Sequence, residues 1–395
     1  MKAMFMRSAR LAGAALCTLL MVAPAQADDW VSKWSNGHKI ENSEKGHKLK
    51  FGGRIMADYS FADADEVSSS VEDGFEFRRA RLFFSGTIYE RVEFKAQYDF
   101  AGGDANIRDL YIGIKNEWGS IRFGHQFEPF SLQALTSSKY IAFLERALPV
   151  EAFSPGRNSG VRLHGSQGDT LNWGVGAFYD ADSFGDSTDE DRVNVTGRIG
   201  FRPFYQDKGA RMLHLGVAAT VKDTESTLRF RSRPEAHLSD RFVNTGNFAA
   251  DGATLLGGEL AGVFGPFWFS GEYMQADADA PAVGDPTFDG YYVQAGYYLT
   301  GEHRRFKPSG GAFDRQKPKN IFGKDSGVGA WEIAARISSL DLNDGAVTGG
   351  EIDNYSLALN WYLNPATRMM INYVHADVDT VGEADFILLR WSLDF

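Results

Sequence analysis

The chain has 395 residues, 43% of them apolar and 13% aromatic, with 43 Gly, one Cys and a formal net charge of -11. An acidic surplus of this size excludes nucleic acid as a partner, because phosphodiester contacts need Lys and Arg in excess. A lone Cys excludes an internal disulfide framework.

Residues 1–27 read as a secretory signal. Lys2, Arg7 and Arg10 lead into an apolar stretch from Leu11 to Val22, and Ala25-Gln26-Ala27 supplies the small-x-small cleavage pattern. Cys17 lies inside this segment behind Leu16, where a lipoprotein site needs a small residue, so the expected mature chain has no cysteine. Cleavage removes three basic and no acidic residues, which takes the net charge to -14. Residues 28–47, polar and carrying Lys, His and Asn, read as an N-terminal periplasmic extension without the repeat of a coiled-coil arm. No later run approaches the ~18–20 consecutive apolar residues of a membrane-spanning helix.

From Leu49 onward the chain alternates instead. In Arg91 to Phe100, Arg91, Glu93, Lys95, Gln97 and Asp99 make one face, and Val92, Phe94, Ala96, Tyr98 and Phe100 the other. Arg192 to Arg202 repeats the pattern in opposite parity. Candidate strands fall at 49–61, 75–89, 91–100, 106–116, 119–126, 158–166, 170–180, 191–202, 212–222, 253–264, 266–276, 289–300, 330–340, 352–363, 367–377 and 385–395. That even number suits an all-β fold over 48–395, a 16-stranded antiparallel transmembrane β-barrel. A barrel of that width leaves an aqueous lumen, lined by polar faces while apolar faces meet lipid. The last segment sets Ile387, Leu389, Trp391, Leu393 and the terminal Phe395 against Arg390, Ser392 and Asp394. This amphipathic strand behind a signal segment decides against a soluble sandwich. Tyr89, Trp118, Tyr205, Tyr298 and Trp361 stand at strand ends, as interfacial girdles require.

With a periplasmic N-terminus, connections after odd strands are external. The external stretches carry Asp63, Asp65, Glu66, Glu72 and Asp73, then Asp182, Asp186, Asp189 and Glu190, then Asp277, Asp279 and Asp285, then Asp341, Asp344 and Glu351. Such clusters suit lipopolysaccharide bridged by divalent cations; ordinary solvated loops are the plainer alternative. Loop 127–157 is long enough to fold inward as a constriction loop, with a helical turn expected at Lys139 to Ala147. It carries Ser137, Ser138, Lys139, Arg146 and Arg157. Even-numbered strands end in short turns, except the basic segment 301–329, whose side of the membrane parity leaves open.

Cations gather in three places. Parity turns Arg79 and Arg81 of the second strand to the lumen; Arg78 faces outward unless a bulge re-aims it or it lies at the rim. Arg229, Arg231 and Arg233 alternate along a long loop, which in an extended segment makes a one-sided ladder. His303 to Lys324 holds Lys317 and Lys319, and with Lys48 and Lys50 would form a basic periplasmic vestibule. For the last two groups a solvated basic loop is the alternative.

These residues resemble the phosphate-selective porin O/P family along the whole mature chain. The likeness is most specific at Phe77-Arg78-Arg79-Ala80, Ser137-Ser138-Lys139, Glu145-Arg146, Arg229-Phe230-Arg231-Ser232-Arg233-Pro234-Glu235 and the Lys307-Pro308 to Lys317-Pro318-Lys319 segment. The resemblance implies a homotrimer in the Gram-negative outer membrane. It makes Arg78, Arg79, Arg229, Arg231 and Arg233 an arginine ladder, Lys139 and Arg157 constriction residues, and Asp109 the lone acidic residue near the binding zone. Arg81 departs from the family, whose founding members carry an aromatic there; the extra cation bears on discrimination between phosphate, polyphosphate and other anions.

The expected function is passive, anion-selective diffusion of phosphate or polyphosphate, without cofactor or metal. A general or weakly cation-selective diffusion porin is the alternative, resting on the charge of -14 reaching the pore mouth. An enzyme is not expected, since the His residues form no Ser/His/Asp constellation, and a purely structural barrel leaves the arginines unexplained.

Overall fold

The computed structural model describes residues 30–65, 71–179, 193–224 and 227–395. The signal segment 1–27, Glu66, Asp182, Asp186, Asp189, Glu190 and Arg192 lie outside them. Sixteen antiparallel strands run in sequence order: β1 (His47–Asp65), β2 (Gly74–Ile88), β3 (Val92–Asp99), β4 (Asn106–Asn116), β5 (Gly119–Phe127), β6 (Arg157–Gln167), β7 (Leu171–Tyr179) and β8 (Val193–Gln206). They continue as β9 (Arg211–Asp223), β10 (Gly252–Phe264), β11 (Phe267–Asp279), β12 (Thr287–Tyr298), β13 (Ala330–Asp344), β14 (Val347–Tyr362), β15 (Thr367–Val378) and β16 (Gly382–Asp394). β16 pairs with β1 from Glu383↔Asp65 to Asp394↔Arg54 and closes the barrel. Every segment expected from the alternation is a strand, with ends displaced by a few residues.

The two-residue period separates the faces. On β16, Ile387 and Trp391 are 49% and 58% exposed on the outer wall, whereas Arg390 is 2% exposed on the inner one. Of the girdle aromatics, Trp361 stacks on Trp331 with ring centroids 5.1 Å apart. Tyr298 departs from expectation. It has inward parity and is buried, while its neighbour Tyr297 faces outward.

Residues 28–47 include a hairpin. Val31–Trp34 pairs with His38–Asn42, which pairs in turn with the first residues of β1, alongside the stretch that β16 leaves unpaired. The lip of the barrel is thereby lengthened at the end where the chain terminates.

Along β12 to β16 the inner face changes character. Near the chain-terminal end it is polar, with Glu332, Asn360 and Arg368; toward the loop end Phe288, Leu340, Ile352, Val374 and Phe386 are buried and apolar. Both faces are apolar there, because two loops fold inward. Loop 128–156 brings Phe130, Leu144, Leu148 and Phe153, and loop 224–251 brings Leu228, Phe230, Val243 and Phe248, into one cluster with that wall. Each such side chain contributes about 1.5–3 kcal/mol when fully removed from water, which drives both loops inside.

The helical turn expected at Lys139 to Ala147 is not formed. The loop has helices on either side of that stretch, α1 (Leu132–Leu135), capped by the Ser131 hydroxyl, and α2 (Leu148–Phe153), with Pro149 in its first turn. The intervening backbone is non-helical because side chains of the wall and of segment 299–329 take its carbonyls. Arg304 donates to Tyr140 O at 3.0 Å, Arg368 to Ile141 O at 2.8 Å and Asn360 to Ala142 O at 2.9 Å. Arg390 donates to Leu144 O at 2.6 Å and Arg336 to Glu145 O at 3.1 Å. The loop is fixed to β13–β16, and the open passage is left between it and β1–β6.

The segment 299–329 enters from the chain-terminal end, where the short turns lie. A short pairing, Phe306–Lys307 with Ala312–Phe313, raises a turn whose Gly311 has φ +55°, and its carbonyl accepts from Arg198 at 2.8 Å. Phe313 N donates to Thr136 Oγ1 at 3.3 Å, so this turn supports the inward loop from below.

Candidate functional site

The passage is built on β1, β2, β3, β4 and β6. A register shift between Met56 and Ala57 makes Arg78 the extra residue of a bulge on β2. The bulge turns Arg78 inward, where its Nε and Nη2 donate to the two Glu145 oxygens at 2.9 Å each. Burial alone would push the Glu145 carboxyl up, but Arg78, Arg79 and Arg390 together hold it well below the usual range. Arg79 is buried, with Nη1 3.7 Å from Met56 Sδ. Arg81 Nε pairs with Asp99 Oδ2 at 2.6 Å.

Farther along the wall, Asp109 accepts from Arg157 Nε at 2.8 Å and from Lys95 Nζ at 2.5 Å. The Arg157 guanidinium lies 3.8 Å from the Phe127 ring centroid, a cation–π contact that fixes its plane. Asp109 and Tyr111 have the inward parity expected, but Asp109 is not alone: Glu93, Asp99 and Glu145 also face this space, each on its own arginine. Across the passage the loop offers hydroxyls. Arg54 Nη1 donates to Ser138 Oγ at 2.7 Å and approaches Ser137 Oγ at 3.4 Å. Beside them Lys139 Nζ stands 3.2 Å from Asp394.

A cavity of about 700 Å³ opens below this point toward the chain-terminal end, lined by Lys48, Lys50, Lys39 and Lys307 among others. Lys317 and Lys319 are exposed and lie outside its lining, with Lys319 Nζ held by Gly301 O at 2.6 Å. Their segment turns away after Arg315, which is clamped to Asp394, so Lys307 rather than these two reaches the lumen. Above, a cavity of about 260 Å³ is lined by Arg78, Arg146 and Arg233 together with Glu145 and Glu151.

Loop 224–251 carries Arg229, Arg231 and Arg233 at alternate positions, while Leu228 before them and Phe230 and Ser232 between them are buried. Arg229 donates to Asn244 Oδ1 at 2.8 Å; Arg233 donates to Ser239 O at 3.1 Å and reaches Glu151 at 3.4 Å. Of Arg229 to Arg233 only Arg231–Ser232 is a strand, paired with Val243–Asn244, and Arg233 turns toward Glu151 of the other inward loop.

Against known proteins, the family model for phosphate-selective porin O and P matches residues 49–387. The chain belongs to this family. The porin is 29% identical to Porin O of Pseudomonas aeruginosa, over 89% of this chain and 88% of that one. It is 30% identical to an uncharacterised protein of Caulobacter vibrioides, over 89% and 72% of the two chains. Among solved structures, the anion-selective porin from Comamonas acidovorans superposes with a TM-score of 0.56 at 15% identity, covering 88% of this chain and all of that one. A loop-deletion mutant of OmpT, an outer membrane protein of Vibrio cholerae, gives 0.58 at 14% identity, covering 89% and 100%. The family and the closed barrel make the protein an outer-membrane channel.

Sequence reasoning missed Arg54 in this porin, since it stands alone between Gly53 and Ile55 without a basic cluster. Parity held the signal: Arg54, Asp58 and Ser60 share the inward face of β1 and are all buried. It also missed Lys95 and Asp99 as partners of the predicted residues.

Lys139 gives a pH test. Burial pushes its ammonium down to about 8, with Asp394 only partly opposing. The charge is present below that value and lost above it. Chloride selectivity is expected to fall as pH rises from about 7 to about 9, and a Lys139→Gln channel should show the reduced selectivity already at neutral pH and little further change. Zero-current potentials in a KCl gradient across that pH range check this.

Proposed function

We propose that this porin is an anion-selective diffusion channel for phosphate or polyphosphate, using the passage between the inward loop and β1–β6. The observation that carries the reading is the Arg54 guanidinium, buried in the passage and hydrogen-bonded to Ser138 and Ser137 with no carboxylate in ion-pair range among the described residues. Guanidinium forks and hydroxyls offer only donors or ambivalent groups to a dehydrated oxyanion. Arg229, Arg231 and Arg233 would gather anions at the outer mouth. Arg78, Arg79, Arg81, Arg157 and Lys139 would line the narrow part with Asp109, and Lys48, Lys50, Lys39 and Lys307 would draw anions to the periplasmic side. Rings of Arg and Lys select anions by this physics. The phosphate selectivity for which the family is named and the likeness to the anion-selective Comamonas porin support the same reading.

The rest of the assignment is proposed with it. Residues 1–27 act as a cleaved export signal, residues 28–47 extend the barrel on the periplasmic side, and the working unit is a homotrimer, a form named for the Vibrio OmpT structure. The acidic outer rim faces lipopolysaccharide. A general or weakly cation-selective porin has one observation in its favour: Asp99, Asp109 and Glu145 neutralise several of the lumenal cations. Zero-current potential in a KCl gradient separates the two. The proposed channel gives the sign for chloride permeation, and a potassium sign rejects it.

A further inference from the structure

Two buried guanidiniums stand side by side on the inner wall, and the carboxylate next to them, Asp99, is paired with only one. Arg54 on β1 and Arg81 on β2 are direct cross-strand partners, each 8% exposed. Directly opposed residues on one face have Cβ atoms about 4.5–5.5 Å apart, and like charges so placed destabilise a sheet. Arg81 is also in register with Asp99 on β3, which holds its Nε at 2.6 Å; the same Asp99 oxygen lies 3.5 Å from Arg108. On the other side of Arg54, the opposed Asp394 is taken by Arg315 and Lys139. Arg54 is left with the Ser138 and Ser137 hydroxyls.

We propose that Arg54 and Arg81 form a two-guanidinium clamp for a doubly charged tetrahedral oxyanion, with Asp99 as a built-in counter-ion that the oxyanion displaces from Arg81. This rests on the anion-channel reading and adds a specificity rule to it: the passage discriminates by valence. A dianion presents enough acceptor oxygens and charge to bridge both forks and relieves the repulsion between them. A monovalent ion such as chloride does not offset the loss of the 2.6 Å Arg81–Asp99 pair, so it meets Arg54 with Arg81 already neutralised. Asp99, once released, still has Arg108 beside it. The step is an exchange of ion partners; no bond is made or broken.

The test is the block of chloride current by sulfate and by inorganic phosphate in planar bilayers, for the full-length channel and for Arg81→Gln, Arg81→Lys and Asp99→Asn. Arg91→Gln, in an exposed turn, is the control. Insertion of conducting channels reports folding, and Arg81→Lys keeps the charge where Arg81→Gln fails to insert. Arg81→Gln should raise the half-blocking concentration of both oxyanions at least tenfold while changing chloride conductance much less. Arg81→Lys should raise it severalfold, and Asp99→Asn should lower it severalfold. Equal proportional changes in oxyanion block and chloride conductance would make Arg81 a mere part of the background field and overturn the clamp. So would weaker block in Asp99→Asn, which would make Asp99 a positioning group. A wild-type channel without anion selectivity defeats the underlying reading instead, and is seen before any variant is compared.

Discussion

Replacing Arg390 by Met is expected to destabilise the folded barrel by about 3–5 kcal/mol and to unsettle the constriction loop, the largest single-site effect foreseen here. Arg390 lies on the inner face of β16 and is 2% exposed. It binds both Asp58 oxygens, at 2.7 and 2.5 Å, donates to the Leu144 carbonyl at 2.6 Å and reaches Glu145 at 2.9 Å. Methionine fills much of the space but leaves Asp58 buried without its partner, and desolvation of that lone carboxylate is the main cost. The Asp58→Asn/Arg390→Met pair removes both charges and should recover at least half of the loss. Urea unfolding in detergent gives the stability, and open-channel current noise gives the loop. A single variant as stable and as quiet as wild type would show that the loop is held elsewhere.

The second large effect is on solute binding. Arg54→Gln is expected to raise the half-blocking concentration of phosphate about ten- to hundredfold, since a hydrogen bond to a charged group is worth about 1.5–3 kcal/mol and 1.4 kcal/mol is a factor of ten. The fold should tolerate the change better than that at Arg390. Arg54 holds no buried carboxylate, and Gln can still donate to Ser138 Oγ, the 2.7 Å partner of the guanidinium. Phosphate block measured beside channel insertion frequency separates weaker binding from poorer folding.

How much of this the sequence carries depends on the kind of interaction. Strand positions and faces are written in the two-residue period, so the inward placement of Arg79, Arg81 and Asp109 follows from parity. Arg78 breaks the period, since parity turns it to lipid, where a guanidinium at mid-depth is costly. The register shift at Met56 and Ala57 is the backbone's answer. Parity says nothing about which lumenal cation meets a loop. Arg336, Arg368 and Arg390 have the same sequence signature as pore-lining arginines, yet they serve the loop carbonyls, because the apolar residues of loops 128–156 and 224–251 settle on β12–β16. That choice of wall depends on shape complementarity between distant segments. Lys317 and Lys319 were misplaced for a related reason. Composition marked their segment as basic, but the clamp between Arg315 and Asp394 decides which part of it enters the lumen.

Charge sorting follows from the same geometry. The -11 of the whole chain is a sum over an acidic outer rim and an inner passage whose cations are partly matched by Asp99, Asp109 and Glu145. Its sign does not set selectivity. On the proposed reading the positions left without a carboxylate partner do, and among the described residues Arg54 is such a position at the level of the loop hydroxyls.

The most direct measurement is a titration of phosphate into the chloride current of the wild-type channel at low ionic strength, where surface charge is least screened. A saturable fall in chloride conductance is expected at phosphate concentrations far below that of chloride. A conductance that merely changes in proportion to the added salt, with no saturable block, would contradict an anion site in the passage.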